Sequence, residues 1–81
     1  MSLVKKMIMS NLPVNQEPTR VEALFDGVFF TLKDFKVSLD YDFFLQALKE
    51  LETEQALVVF KQRPEVSVVA TRHGFVKYGT E

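Results

Sequence analysis

The feature that most constrains the fold is an amphipathic stretch from about Asp40 to Gln55, which two β-branched runs follow. Its apolar residues recur at the i, i+3, i+4, i+7 spacing of one helix face: Phe44, Ala47, Leu48 and Leu51. Asp40 is suited to cap the first turn, and Asp42 suits the positive end of the helix dipole. The pattern predicts a long helix over about residues 40–55 that buries one face.

Two runs of strand length come after this helix, Leu57–Phe60 and Val66–Ala70. Between them lies Lys61–Glu65, a turn-like and charged stretch whose proline cannot donate to a strand ladder. The pattern predicts a β-hairpin over about residues 57–71 with a charged tip. A last short strand, or a segment lying along the sheet, is expected over Phe75–Tyr78.

Residues 20–35 allow two interpretations. Apolar residues at helical spacing favour a helix that runs to about Val28, followed by a short strand over Phe29–Thr31 and a turn of helix near Lys33–Phe35. The Asp26-Gly27 pair between apolar runs is instead typical of a β-hairpin. We favour the first interpretation, and the hairpin stays open.

The length and composition indicate a single small domain. In 81 residues the chain has no cysteine, so it has neither a disulfide framework nor a thiolate metal site. Asn11–Pro18 lacks periodicity and predicts a linker, so residues 1–18 are interpreted as an N-terminal arm and linker and residues 19–81 as the domain. The longest apolar run, Ala56–Phe60, is far shorter than a membrane span, and no signal peptide is recognisable. We therefore expect a cytoplasmic protein.

The predicted order of helix, short strand, short helix, long helix and hairpin resembles the winged-helix superfamily. The stretch SLDYDFFLQALKELETEQALVVF (residues 38–60) looks like the last helix and first wing strand of that superfamily, and VSVVATRHGF (residues 66–75) is similar to the second wing strand and the glycine-containing turn after it. The chain is also similar to the C-terminal winged helix of the smallest ESCRT-II subunit, in Phe30-Thr31-Leu32 and in the spaced set Leu39-Asp40, Leu45, Ala47-Leu48, Leu51 and Glu54. The stretch between its wing strands is long and basic. The resemblance implies an α+β winged-helix domain.

Catalysis finds little support in the residue types. His73 is the only histidine, no cysteine exists, and no Gly-x-Ser-x-Gly elbow is present. Asp40 and Asp42 are two residues apart and so do not share a helix face. The three glycines are isolated, which excludes a glycine-rich phosphate loop. The sequence predicts no enzyme, no cofactor and no metal site.

Binding of double-stranded DNA is the function that the winged-helix resemblance implies first, with a helix in the major groove and the wing on the backbone. The predicted long helix is acidic, with five acidic residues and one basic residue between Asp40 and Gln55, and only Gln46 and Lys49 there are suited to read bases. The hairpin and the segment after it are basic: Lys61, Arg63, Arg72 and Lys77. The leading hypothesis is a DNA-binding transcriptional regulator that contacts phosphates through this basic wing. The alternative for these basic residues is a solvated hairpin.

The phenylalanine content points to a second class of function. The chain has eight phenylalanines, and Phe25, Phe29 and Phe30 cannot all face the same side of a helix. Some of them would therefore point away from the core, which predicts a homodimer seam or a surface for a protein partner. Alternatively, Phe29 and Phe30 lie on a strand and are both covered. The second functional hypothesis is thus an assembly or adaptor module with no nucleic-acid role.

Overall fold

The computed structural model describes residues 2–15, 17–62 and 65–79, which form an α+β arrangement of four helices and three strands. In chain order these elements are α1 (Ser2–Ser10), β1 (Thr19–Arg20), α2 (Val21–Asp34), α3 (Tyr41–Thr53), β2 (Leu57–Gln62), β3 (Glu65–Ala70) and α4 (Arg72–Tyr78). None of the helices in these ranges is both long and apolar enough to cross a membrane.

The sheet is antiparallel, and β3 lies between β1 and β2. Val68 on β3 is paired with Val59 on one side and with Thr19 on the other. One face of the sheet covers the core, since Leu57 and Val68 are buried. Paired residues of antiparallel strands share a face, and the successive side chains of a strand alternate between faces. The opposite face of the hairpin is therefore partly open to solvent, with Phe60 exposed.

The predicted long helix and hairpin are both confirmed. The Asp40 carboxylate accepts a hydrogen bond from the Asp42 backbone N–H at 3.2 Å, which is the capping interaction expected at the start of α3. The predicted stripe is the buried face of this helix: Phe44, Ala47, Leu48 and Leu51. The helix ends at Thr53, and Gln55 adopts a positive φ of 63° that turns the chain toward β2. Of the hairpin, residues 63 and 64 lie outside the described residues.

Of the two interpretations of residues 20–35, the first is confirmed for its helix to about Val28 and wrong after it, and the hairpin is wrong. The segment is one continuous helix, α2, so neither the strand over Phe29–Thr31 nor the Asp26-Gly27 hairpin exists, and no separate short helix covers Lys33–Phe35. The physical reason is the stripe that α2 buries along its whole length: Val21, Leu24, Val28 and Leu32. Because this stripe has the period of a helix, it outweighs the local turn tendency of one glycine. The strand predicted between helices is found earlier, as β1.

The N-terminal residues, interpreted as an arm outside the domain, form α1 and contribute to the same core. Ile8 and Met9 are completely buried, and Val4 and Leu12 are nearly so. Helix α1 contacts α2, α3 and α4, which places it at the centre of the helical layer. Residues 11–15 and 17–18 then connect α1 to β1 without helix or strand.

The segment after the hairpin is a helix, so the strand expected over Phe75–Tyr78 is wrong. Thr71 caps α4, because its hydroxyl accepts from the Gly74 backbone N–H at 3.0 Å and donates to the Gln55 carbonyl at 2.7 Å. A Cβ on Gly74 would lie 2.2 Å from the Ala56 carbonyl oxygen. The glycine therefore lets α4 lie directly on the start of the hairpin, with Phe75 buried against the core.

Candidate functional site

The structure does not bring the predicted phosphate-contacting residues together. Lys61 is exposed near the tip of β2, whereas Arg72 is exposed at the first position of α4, beyond the base of the hairpin. Lys61 pairs with Val66, four residues along β3 from Ala70, so about 13 Å of strand separates the two levels of the hairpin. Arg63 lies outside the described residues. A single basic wing surface is therefore not formed by Lys61 and Arg72.

Lys77 is part of a polar cluster around Glu54, which lies just after α3. The Lys77 ammonium is 2.8 Å from Glu54 Oε1, and the Tyr78 hydroxyl donates to the same oxygen. From α1, the Lys5 ammonium donates to Glu54 Oε2 at 2.5 Å and lies 3.0 Å from Glu50 Oε1. This cluster connects α1, the end of α3 and α4, and it neutralises the charge that Lys77 was predicted to offer to a phosphate.

The cluster perturbs the ionisation of its members. The hydrogen bond from Lys5, followed by those from Lys77 and Tyr78, lowers the pKa of Glu54 to about 2. The same contact raises the pKa of Lys5 above its usual value, against the opposing effect of burial. Burial, and then the hydrogen bond to Glu54, raises the pKa of Tyr78 to about 12. All three groups are therefore held in their ordinary ionisation states at neutral pH, which is the behaviour of a structural cluster.

A groove of about 550 Å³ lies where α3 faces the hairpin and the β1–α2 junction, and we call it the α3–hairpin groove. Its apolar lining comes from three segments that are far apart in sequence: Val21, Tyr41, Leu45, Leu48, Val59 and Val66. Tyr41, Leu45 and Val66 are large apolar residues that stay exposed in this groove. Its volume falls within the usual range for binding pockets, about 300–1,000 Å³.

Charged residues surround the apolar lining of the groove: Arg20, Glu22, Lys49, Glu52 and Lys61. Arg20 and Glu22 form an ion pair at 3.5 Å. Lys49 comes from α3 and Lys61 from β2, so two ammonium groups belong to opposite walls. Within the part of the chain that the structure describes, neither lysine forms an ion pair. The groove thus combines an apolar floor with two lysines and one remaining carboxylate, that of Glu52.

Gln46 and Lys49, the predicted base-reading residues, lie on the exposed face of α3. Lys49 lines the α3–hairpin groove and Gln46 does not. Asp42 lies seven residues before Lys49, on the same helix face, so the face that would meet DNA begins with an acidic residue.

The three phenylalanines predicted at a partner surface have different environments. Phe25 is partly buried, and its ring contacts those of Tyr41 and Phe44, with centroids 5.0 and 5.1 Å apart. It is therefore a packing residue. Phe29 and Phe30 are 41% and 70% exposed on α2. Because Phe30 lies about half a turn from the buried stripe, it points directly away from the core.

The residues considered for chemistry occupy structural or solvated positions. Asp40 caps α3, and His73 is exposed in the first turn of α4. Among the described residues, no group of three or more histidine, aspartate or glutamate side chains is arranged to hold a metal ion.

Of the residues that line the groove, only Lys49 and Lys61 were predicted as site residues from the sequence. The residues that were missed include much of the apolar lining: Tyr41, Leu45, Val59 and Val66. Leu45 carried a usable signal, because a leucine on the polar face of an amphipathic helix is apolar surface that the helix does not bury. Val59 and Val66 carried no such signal, because the sequence of a strand does not indicate which helix packs beside it. The chain matches no protein-family model, and no curated protein or solved structure matches it either.

Proposed function

We propose that this protein is a non-enzymatic, winged-helix-type module that docks a segment of a protein partner in the α3–hairpin groove. The order of α1, β1, α2, α3 and the β2–β3 hairpin supports the winged-helix type, because it follows the predicted order of helix, short strand, short helix, long helix and hairpin. It departs from that order in one respect, since α2 has 14 residues and is not shorter than α3, which has 13. The first three elements lie nearer the N-terminus than the sequence predicted.

The observation that carries the docking proposal is the exposed apolar lining of the groove. Tyr41, Leu45 and Val66 come from two different elements and leave apolar surface in one concave site. Exposing such side chains costs stability unless a partner covers them, and each that is fully buried contributes about 1.5–3 kcal/mol. A concave apolar surface suits a side chain that inserts into it, rather than the flat and charged backbone of a duplex.

The charges of the groove indicate the chemistry of the partner segment. Lys49 and Lys61 are on opposite walls, and the Arg20–Glu22 pair is internally compensated. A carboxylate next to an inserted apolar side chain would lie near one or both lysines. The proposed ligand is accordingly a short segment that carries a bulky apolar residue flanked by acidic residues.

The test uses a fluorescein-labelled peptide with a central Leu-Phe pair among Glu, Asp, Gly and Ser residues. We expect saturable binding with a dissociation constant of about 0.1–1 mM, or roughly 4–5.5 kcal/mol, because only two side chains are anchored. Backbone amide chemical-shift changes should be centred on Tyr41, Leu45 and Val66. Replacing Leu-Phe by Ala-Ala, or the acidic residues by lysine, should abolish the response.

A substitution in the groove distinguishes site-specific binding from nonspecific binding of the peptide. Leu45→Glu removes part of the apolar lining and adds a negative charge that repels the acidic residues of the peptide. It should weaken binding roughly tenfold. Lys6→Glu, a change at an exposed residue of α1 outside the groove, is the matched control and should bind as the parent does. No saturable shifts at about 2 mM peptide, or equal binding of the Ala-Ala peptide, contradicts the proposal.

DNA binding is the second candidate, and the observation that favours it is that Lys49 and Lys61 line one groove. Fluorescence anisotropy of a labelled random-sequence duplex, at low and then at higher salt, distinguishes it from protein docking. We expect no binding, since Lys77 is paired and the exposed face of α3 begins with Asp42. Binding that weakens with salt and is lost in Lys49→Ala/Lys61→Ala and in Arg63→Ala/Arg72→Ala would establish the DNA-binding function instead.

A further inference from the structure

We propose that a second copy of this chain binds the outward surface of α2, so that the protein forms a weak two-fold symmetric dimer. We call this surface the α2 face and define it by Asp26, Phe29, Phe30 and Lys33, which recur at the i, i+3, i+4, i+7 spacing of one helix face. None of the four lines the α3–hairpin groove. The dimer is therefore independent of the proposed docking function.

The apolar part of the α2 face is the pair of phenylalanines. Phe30 is 70% exposed, and Phe29 is exposed beside it, with its ring 5.9 Å from that of the partly buried Phe25. Rings as open as these are unfavourable in water. The two rings therefore form an apolar ridge on α2, and Phe29 lies beside Phe25, which packs against the core.

The charges of the α2 face are complementary to a copy of themselves. Asp26 lies three residues before the phenylalanine pair and Lys33 three residues after it, so the two opposite charges flank the ridge. When two α2 helices run antiparallel about a two-fold axis between Phe29 and Phe30, Asp26 of each copy faces Lys33 of the other, and Phe29 faces Phe30. Within the described ranges, neither charge has an ion pair of its own. This reciprocity favours a second copy over an unrelated partner.

The size of the surface predicts a weak association. From their exposed fractions, the two phenylalanines offer about 330–550 Å² of apolar area over both copies. Since interfaces are roughly 56–65% apolar, this corresponds to less than the 1,200 Å² or so that is typical of stable complexes. A dissociation constant of about 10–1,000 μM is therefore expected.

Sedimentation equilibrium of the full chain, over a concentration range that spans this constant, tests the dimer. We expect a reversible monomer–dimer equilibrium that Phe30→Ser abolishes. Asp26→Lys and Lys33→Asp each replace two attractions by two repulsions and should weaken self-association roughly tenfold. Lys6→Asp, an equivalent charge change on α1, should leave it unchanged, and circular dichroism should show every variant folded.

Mixing the two charge variants is the decisive measurement. In a heterodimer of Asp26→Lys with Lys33→Asp, both cross pairs are again of opposite sign, so the mixture should recover the parent affinity. A strictly monomeric parent at about 2 mM overturns the proposal. So does a dimer that persists in Phe30→Ser, or a mixture that associates no better than its components.

Discussion

Glu54 shows how single residues tie the helices of this protein together. It accepts hydrogen bonds from Lys5 of α1 and Tyr78 of α4, and Lys77 pairs with it as well. Its side chain is only 21% exposed, so the carboxylate depends on these donors for solvation. The cluster combines several charge-assisted hydrogen bonds around one carboxylate. Ion pairs in such a network contribute more to folding stability than isolated pairs on an open surface.

The first prediction concerns Glu54 and acid. Its folded pKa is about 2, below its value of 4.5 in the unfolded chain, so its contribution to stability is complete above pH 4.5 and is lost as the pH falls toward 2. Glu54→Gln should lower the free energy of unfolding at pH 7 by about 1–3 kcal/mol. Urea denaturation at pH 7 and pH 3 should show that this difference shrinks in acid.

The control for this prediction is Glu52→Gln, an exposed glutamate on the last turns of α3 with no ion pair among the described residues. Its replacement should change the stability by less than about 0.5 kcal/mol. A difference between Glu54→Gln and the parent that stays constant from pH 7 to pH 3 would show that the carboxylate is not the stabilising group.

Tyr78 should weaken the cluster at alkaline pH. The pKa of Tyr78 is raised on folding, so loss of its proton between about pH 10 and 12 should lower the stability of the folded protein.

At the scale of elements, α3 is the part of the fold in which all local sequence signals predict the structure that is found. It has a capping aspartate, an acidic first turn and a regular buried stripe, and the chain reverses immediately after it through a residue of positive φ. Helix α2 lacks a side-chain cap of this kind, since Arg20 precedes it with no capping hydrogen bond. Its start and its continuity are therefore set by burial rather than by local chemistry.

The second prediction tests whether Asp40 acts as a cap. Asp40→Ala removes the acceptor for the Asp42 N–H and should cost about 1 kcal/mol of folding free energy. Asp40→Asn keeps an acceptor oxygen while losing the charge, so it should remain close to the parent. Thermal unfolding of both variants gives the comparison. Equal destabilisation by alanine and asparagine would mean that the charge near the helix dipole, and not the cap, is what matters.

At the scale of the whole molecule, one core joins all four helices to one face of the sheet. It includes Ile8 and Met9 of α1, Phe44 of α3 and Phe75 of α4, which lie as much as 67 residues apart. An 81-residue domain has a total stability of only about 4–12 kcal/mol. Losing one element from such a core therefore endangers the whole fold.

The third prediction concerns the N-terminal helix. Ile8 is completely buried, so Ile8→Ala leaves a cavity and should lower the free energy of unfolding by about 2–5 kcal/mol. Val14→Ala is the control, because Val14 is exposed in the connection after α1 and its truncation should be nearly neutral. Chemical denaturation measures both. An Ile8→Ala protein as stable as the parent would show that residues 1–18 are indeed an arm outside the domain.

The exposed apolar surface is also a property of the whole molecule. Phe30 on α2 and Tyr41 beside the α3–hairpin groove belong to different faces. A protein of this size with two such surfaces can pair with itself through one and hold a partner segment in the other. The proposed functions are compatible for that reason, and each is tested by variants that leave the other surface unchanged.

The sequence by itself determined α3, the hairpin and the α+β class, because their signals are local: a cap, a helical stripe and two β-branched runs lie within 31 residues. The continuity of α2 and the helical state of residues 72–78 were decided by tertiary structure. In both, short-range tendencies such as Asp26-Gly27 or Gly74 compete with burial, and burial depends on partners elsewhere in the chain. The α3–hairpin groove likewise exists only because Tyr41, Val59 and Val66 are brought together by folding. The spacing of residues along the sequence does not indicate such contacts.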